Sequence, residues 1–387
     1  MAAIYEQLCP VLFGGDAVEE MAKKIAEEGH KHVFICCDAG VRKAGIVALV
    51  EDALKAEGLS YSMYDEILPD TPDTVVDELA EKIRQTGADI ILGVGGGSTM
   101  DAAKASAVVL DNGDSIRKYM EENGNPGFVR KTPVYAIPTN AGTGSENTPM
   151  CVIHEMSSDT KKVVLRPAEL AVLDPKLTVS CPRSVTVYAG FDALSHAVES
   201  STSVAPNPRD MLLALHAVKL IVNNLPIAMR EPENMDARTN MMFASNIAGI
   251  AFTAMSVHIG HCFDHEAGIK FHMEHGHCCA LSIPETIRIV AEDKPAEVRQ
   301  IGEAMGVVIP EEAGAKEAAD LVAERVRDLM RECGIKPLKD CGVTKEEAVA
   351  IAQDAIDHNW FHIMCPGDVS REKMEHYISE IYDNYQG

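Results

Sequence analysis

The chain has 387 residues, enough for two domains at roughly 100–200 residues each. Lys plus Arg number 35 against 59 Asp plus Glu, and the net charge of −24 excludes nucleic acid or an anionic membrane surface as partner, because phosphate would be repelled. The absence of a basic leader, of an apolar run of about 18 residues and of any CxxC pair among the 11 cysteines predicts a reduced, soluble, cytoplasmic protein.

The first half alternates short apolar runs with helical patterns. "KHVFICC" reads as a buried strand followed by Asp38-Ala39-Gly40. "RKAGIVALVEDALKAEG" reads as one helix with a glycine stop. "SYSMYD" is a second strand, and "TPDTVVDELAEKIRQTG" is a helix with Pro72 near its start and Gly87 at its end. "ADIILGV", "GGGST" and "MDAAKASAVVL" give strand, turn and helix, and "PVYAIP" is a fourth strand. Such a βα rhythm predicts a parallel sheet covered by helices on both faces. Beyond about residue 185 every periodic segment is helix-like, so the boundary falls near residue 180, after "LAVLDPKLTVSCP".

Two loops carry binding chemistry. In "DIILGVGGGSTMDAAK", glycines 95 to 97 let the backbone turn sharply, and Ser98 and Thr99 sit where a helix begins. Free N–H groups at such a start suit a diphosphate, although a tight turn without a ligand has the same sequence. The motif follows the third strand rather than the first, so it departs from the usual dinucleotide fingerprint. Asp38, after the first strand, could bond ribose hydroxyls and repel a 2′-phosphate, or could simply form a turn. "AIPTNAGTGSENT" follows the fourth strand and offers Thr139, Asn140, Thr143 and Thr148 for nucleotide contacts.

The second half carries a histidine cluster. "HIGHCFDHEAGIKFHMEHGHC" holds His258, His261, His265, His272, His275 and His277. Upstream, "GFDALSHA" places Asp192 and His196 four apart, on one face of a helix. A carboxylate with several imidazoles suits Fe(II), Zn(II), Mn(II) or Co(II), and no thiolate is needed. Spacing alone does not say which histidines are ligands.

"GGGSTMDAAK", "PTNAGTGSE", "GFDALSHAVES" and "HIGHCFDH…EHGHCCALSIP", in this order, resemble the group III, iron-dependent alcohol dehydrogenases over roughly residues 10 to 370. The resemblance implies an NAD-binding α/β domain over residues 1–180 and an all-helical metal-binding, catalytic domain over 181–387, with the site in the cleft between. It implies Asp192, His196, His261 and His275 as metal ligands, and His265 as a catalytic neighbour that does not bind the metal. Asp38 becomes the NAD-selecting acid, Gly96, Gly97 and Ser98 the diphosphate loop, and Thr139, Thr143, Thr148 and Lys162 further cofactor contacts. Met150, Phe252, His258 and Cys365 match pocket-lining positions, with core packing as their plain alternative. His272 and His277 read as exposed or packing residues.

Departures from the family pattern are "HCFDHEAGI" from His261 onward, Asn140 in "PTNAGTGSE", and "CPGDVSREK" in place of an "NPR" signature. The implied activity is hydride transfer between NAD(H) and a short-chain alcohol/aldehyde pair, run as aldehyde reduction, with Fe(II) or Zn(II), by a homodimer or larger assembly. The alternatives are a glycerol dehydrogenase-like or dehydroquinate synthase-like enzyme, or a non-catalytic metal- or NAD-binding protein.

Overall fold

The computed structural model describes residues 7–121 and 127–387. The chain divides into one compact unit that runs to Cys181 and a second that runs from Pro182 to Gly387. The first unit holds β1 (Val11–Phe13), α1 (Ala17–Glu27), β2 (His32–Cys36), α2 (Ala39–Lys43), α3 (Ile46–Ala56), β3 (Ser60–Tyr64) and α4 (Asp73–Thr86). It continues through β4 (Ile90–Gly95), α5 (Gly97–Asn112), α6 (Ile116–Glu121), β5 (Val134–Pro138), β6 (Met150–Glu155), β7 (Thr160–Leu165) and β8 (Leu170–Leu173).

Six strands form a parallel sheet in the order β1-β8-β5-β4-β2-β3, and β6 and β7 form a separate antiparallel hairpin. Both sheet faces are covered, as the continuous apolar runs require. Val33, Ile35, Leu92 and Val94 point to one side and pack with α1 and α3. The alternate residues Phe34, Cys36 and Ile91 point to the other and pack with Leu79 and Ile83 of α4 and Ala103 and Ala107 of α5.

The fold class is the one expected, with two local differences. The predicted single helix after β2 is split into α2 and α3 by Gly45, whose φ of 76° lies in the left-handed region. β1, β8 and the β6–β7 hairpin add to the four predicted strands. β1 and β8, of 3 and 4 residues, are too short to show a period.

The second unit is all-helical: α7 (Arg183–Thr202), α8 (Pro208–Arg230), α9 (Met235–Met255), α10 (Ile259–Phe271), α11 (His275–Ile289) and further helices to Asn384. α7 is its axis, buried at every position from Gly190 to Thr202 and packed on α8, α9 and α11. α8 is long and apolar enough to cross a membrane by length and composition. It carries Asn223, Asn224 and Pro226, and its Ala214, Val218, Ile221 and Leu225 are buried inside the helical unit. α9 and α10 meet at a bend of 111°, where Ser256 takes a φ of 66°. α10 ends on the exposed His272 in the left-handed conformation, so two residues suffice to enter α11.

Candidate nucleotide crevice and metal centre

In the first unit β2, β4 and β5 are neighbours, so the segments leaving their carboxyl ends lie side by side. Asp38 leaves β2. Gly96 and Gly97 open α5 after β4, with Ser98 in its first turn. Thr139, Asn140 and Thr143 follow β5, and the Thr139 N–H donates to the Gly95 carbonyl at 3.0 Å. The glycines ease this approach. A Cβ on Gly97 would lie 2.7 Å from Thr143 Cγ2, and one on Gly96 would lie 3.1 Å from Asn140 Nδ2. No side chain caps the start of α5, which leaves its first N–H groups for an anion.

The remaining predicted cofactor residues have local partners. Asp38 caps α2, accepting from the Val41 N–H at 3.0 Å, so the turn-forming reading holds for one of its oxygens. Ser98 Oγ accepts from the Asp70 N–H at 3.2 Å. Thr148 is buried beside Met150, the first residue of β6. Lys162 is exposed on β7, while its neighbour Lys161 pairs with Asp70 at 2.8 Å.

Sequence reasoning missed what fixes the hydroxyl-rich loop. Lys104 is fully buried and donates to the carbonyls of Ser145 and Met150 at 2.9 and 2.7 Å. Asp101 balances its charge at 3.0 Å and accepts from the Val152 N–H. Both belong to "GGGSTMDAAK", so the motif binds the loop to α5 as well as forming the turn.

In the second unit α7, α10 and α11 bring the four predicted ligands together. Asp192 Oδ1 lies 3.4 Å from His196 Nε2 and 3.5 Å from His275 Nε2. Rings of His196 and His261 stack at 4.8 Å, and those of His261 and His275 meet at 5.4 Å. Two N/O donors at about 2.0–2.2 Å from one tetrahedral ion stand about 3.4 Å apart, so the distances from Asp192 to His196 and to His275 suit donors to a shared first-row ion. His261 Nε2 is buried with no hydrogen-bond partner, as an atom reserved for a ligand would be. Burial would raise the Asp192 carboxyl, but the adjacent His196 and His275 hold it well below the usual range. Burial pushes His196 down to about 4, so that its ring is a neutral donor.

Glu199, one turn beyond His196 on α7, was missed. Its Oε1 accepts from His261 Nδ1 at 2.6 Å, and its Oε2 accepts from the His258 N–H at 2.6 Å, at the start of α10. Burial opposes its charge, but His261 and His258 hold it down at about 2. Conversely, burial would depress His261, and Glu199 pushes it up to about 9. By holding the Nδ1 proton, Glu199 turns the other nitrogen toward a ligand role. Gly260 makes room for this, since a Cβ there would lie 2.7 Å from Glu199 Oε1. Glu199→Gln is expected to loosen metal binding by about 10–100-fold while the fold persists. Competitive metal titration checks this, and unchanged affinity would count against the role.

Cys279 was also missed. Its sulfur lies 3.6 Å from His275 Nε2, within the same group of potential ligand atoms. The expectation that His258 faces a substrate is corrected. Its side chain is fully buried, with Nε2 bonded to Thr202 Oγ1 at 2.9 Å, behind Glu199. His277 is a packing residue, stacked on Tyr188 at 5.4 Å and bonded to the Lys336 carbonyl. Phe252 stacks on His196 at 4.3 Å, and Cys365 is buried against the Pro366 carbonyl.

His265 lies on α10 one turn after His261, its ring 5.5 Å from that of His275. Its Nδ1 meets Asn359 Oδ1 at 2.9 Å. The Asn359 amide nitrogen donates to the Ala355 carbonyl and to Glu266, which fixes its oxygen toward His265. His265 therefore holds a proton on Nδ1 and presents Nε2 as the basic nitrogen. Asn359 is 94 residues away in the chain, and no local pattern announced it.

An α/β unit with a glycine turn at the carboxyl end of its parallel sheet, followed by a helical unit enclosing a carboxylate–imidazole cluster, defines a two-part metalloprotein class. The profile "Iron-containing alcohol dehydrogenase" matches residues 10–175, and "Fe-containing alcohol dehydrogenase family, C-terminal" matches residues 186–382. The chain belongs to the iron-containing alcohol dehydrogenase family, and is an enzyme of that family. It is 31% identical over 352 residues to the NAD-dependent methanol dehydrogenase of Bacillus methanolicus, covering 89% of this chain and 91% of that one. It is 30% identical over 374 residues to the lactaldehyde reductase of Escherichia coli strain K12, covering 96% of each. Among solved structures, the alcohol dehydrogenase from Oenococcus oeni superposes with a TM-score of 0.92 at 29% identity, covering 98% of this chain and 100% of that one. The sulfoacetaldehyde reductase from Bifidobacterium kashiwanohense in complex with NAD+ superposes with a TM-score of 0.87 at 27% identity, covering 99% of each.

Proposed function

We propose that this enzyme transfers hydride between NAD(H) and a short-chain alcohol/aldehyde pair, and runs chiefly as an aldehyde reductase. The observation that carries the reading is the set of buried Asp192, His196 and His261 with the partly exposed His275, His261 Nε2 being left without a partner. Lactaldehyde and sulfoacetaldehyde reductases among its relatives support the direction.

These four side chains would hold a divalent ion, Fe(II) or Zn(II), which would supply Lewis-acid chemistry. NAD(H) supplies the hydride chemistry. The protein's own groups orient and shield. Asp192 contributes the one anionic donor, and Glu199 orients His261. Phe252 covers His196 and excludes water from that side. His265, with its Nδ1 proton held by Asn359, accepts or delivers the substrate's proton through Nε2. Gly96, Gly97 and Ser98 receive the diphosphate, with Thr139, Asn140, Thr143, Thr148 and Lys162 as further contacts.

The reading is tested by following NADH oxidation across a panel of short aldehydes, using protein purified without oxygen and reloaded with Fe(II). Turnover that is lost on chelation and restored by Fe(II) supports it. Silence across the panel by metal-loaded, NADH-binding protein overturns it.

Two variants probe the roles. His265→Ala is expected to lower kcat by about 10²-fold or more, the usual worth of a positioned acid–base group. Asn359→Ala should shift the pH profile of kcat with a smaller loss, since Asn359 acts only through His265. An unchanged profile would remove it from the relay. Asp38→Gly should raise kcat/KM for NADPH relative to NADH by on the order of tenfold, because a carboxylate repels the 2′-phosphate. Steady-state kinetics with both cofactors reads this ratio.

A further inference from the structure

The metal reading above takes three imidazoles and one carboxylate as sufficient. The structure holds a fifth candidate donor. Cys279 lies on α11 one turn after His275, and its side chain is fully buried. Its sulfur stands 3.6 Å from His275 Nε2 and 3.8 Å from Asp192 Oδ1. For a five-coordinate ion with nitrogen or oxygen at about 2.0–2.2 Å and sulfur at about 2.3 Å, angles of about 90–120° put such pairs about 3.1–3.8 Å apart. One ligand atom from each of Asp192, His261, His275 and Cys279 lies within 4.8 Å of the others. The partnerless, buried Nε2 of His261 is an independent mark of a ligand in this cluster.

We propose that Cys279 binds the metal as a thiolate, making the centre a mixed carboxylate, imidazole and thiolate site that favours Zn(II) over Fe(II). The inference rests on the metal centre proposed above. On binding, the S–H bond breaks heterolytically, the proton passes to solvent and a metal–sulfur bond forms, so no electron is transferred. A soft sulfur donor strengthens binding of thiophilic Zn(II) more than that of Fe(II). Cys279 follows the ligand His275 at i+4, so the helix that positions one donor positions the other.

The test loads the full-length protein with Co(II) and records its spectrum. The wild type is expected to show visible Co(II) bands together with a near-ultraviolet sulfur-to-cobalt charge-transfer band. Cys341→Ser, half-buried against the Pro337 carbonyl, should keep that band. Cys279→Ser and Cys279→Ala should lose it, with the Zn(II)-to-Fe(II) affinity ratio falling about tenfold. Visible bands without charge transfer in the wild type would overturn the proposal and leave the metal centre standing. Charge transfer that persists in a folded Cys279 variant would also overturn it. Absence of any bound Co(II) would instead bring down the metal centre itself, and Cys279 with it. Should both Cys279 variants misfold, X-ray absorption on the Zn(II)-loaded wild type decides the matter. A sulfur neighbour at about 2.3 Å supports the ligand, and none refutes it.

Discussion

Asp192→Ala is expected to abolish metal retention and lower turnover by about three orders of magnitude or more. Asp192 is the sole carboxylate among the four predicted ligands, and its Oδ1 lies within 3.5 Å of both His196 Nε2 and His275 Nε2. Without it, buried imidazoles must hold a dication with no compensating negative charge, which a low-dielectric interior penalises. Losing the Lewis acid removes several kcal/mol of transition-state stabilisation, and about 4 kcal/mol corresponds to about 10³ in rate. Metal content by mass spectrometry and NADH oxidation measure the two effects, with circular dichroism confirming the fold. A folded variant that kept stoichiometric metal and a tenth of the activity would remove Asp192 from the centre.

Gly276→Ala is expected to lower the melting temperature by at least about 5 °C and to strip the metal at the same time. A Cβ at this position would lie 2.1 Å from the carbonyl oxygen of Tyr188, on the α7 backbone one turn before Asp192. Neither backbone can yield as a flexible side chain does. The start of α11 must move away from α7, taking His275 from Asp192. Overpacking costs about 1–3 kcal/mol, which for a unit of this size is several degrees. Scanning calorimetry with and without added metal checks both parts. A variant of wild-type stability and metal content would show that the contact of α11 with α7 does not set the ligand geometry.

The metal centre shows how far residue spacing reaches. Asp192 and His196 are one turn apart on α7, so their shared face was written in "DALSH" before any packing was known. His261 and His265 stood in the same relation on α10, yet they point to different partners. His261 turns Nδ1 to Glu199, and His265 turns Nδ1 to Asn359. Nothing in their spacing separates the two. The distinction comes from residues 62 and 94 positions away in the chain. Glu199 had a local signal in retrospect, since "HAVE" places a carboxylate on the next turn of the ligand helix. Cys279 likewise falls one turn after His275.

The nucleotide side was legible for a different reason. Strand, glycine turn and helix are consecutive in "IILGVGGGSTMDAAK", so local chemistry alone specifies the element and its free N–H groups. What the sequence alone determined is therefore four strands of the six-stranded sheet, the helical second half, the glycine turn and the carboxylate–imidazole cluster. These follow from period, turn chemistry and residue type, all short-range properties. Only the tertiary structure decided that His261 turns Nδ1 to Glu199 and His265 turns Nδ1 to Asn359, that His258 is walled in, that Lys104 secures the hydroxyl-rich loop, and that the Cys279 thiol lies beside His275. Each depends on how buried helices dock. Docking is set by close contacts such as Gly276 on Tyr188 and Gly260 on Glu199, where one methyl group decides whether two elements meet.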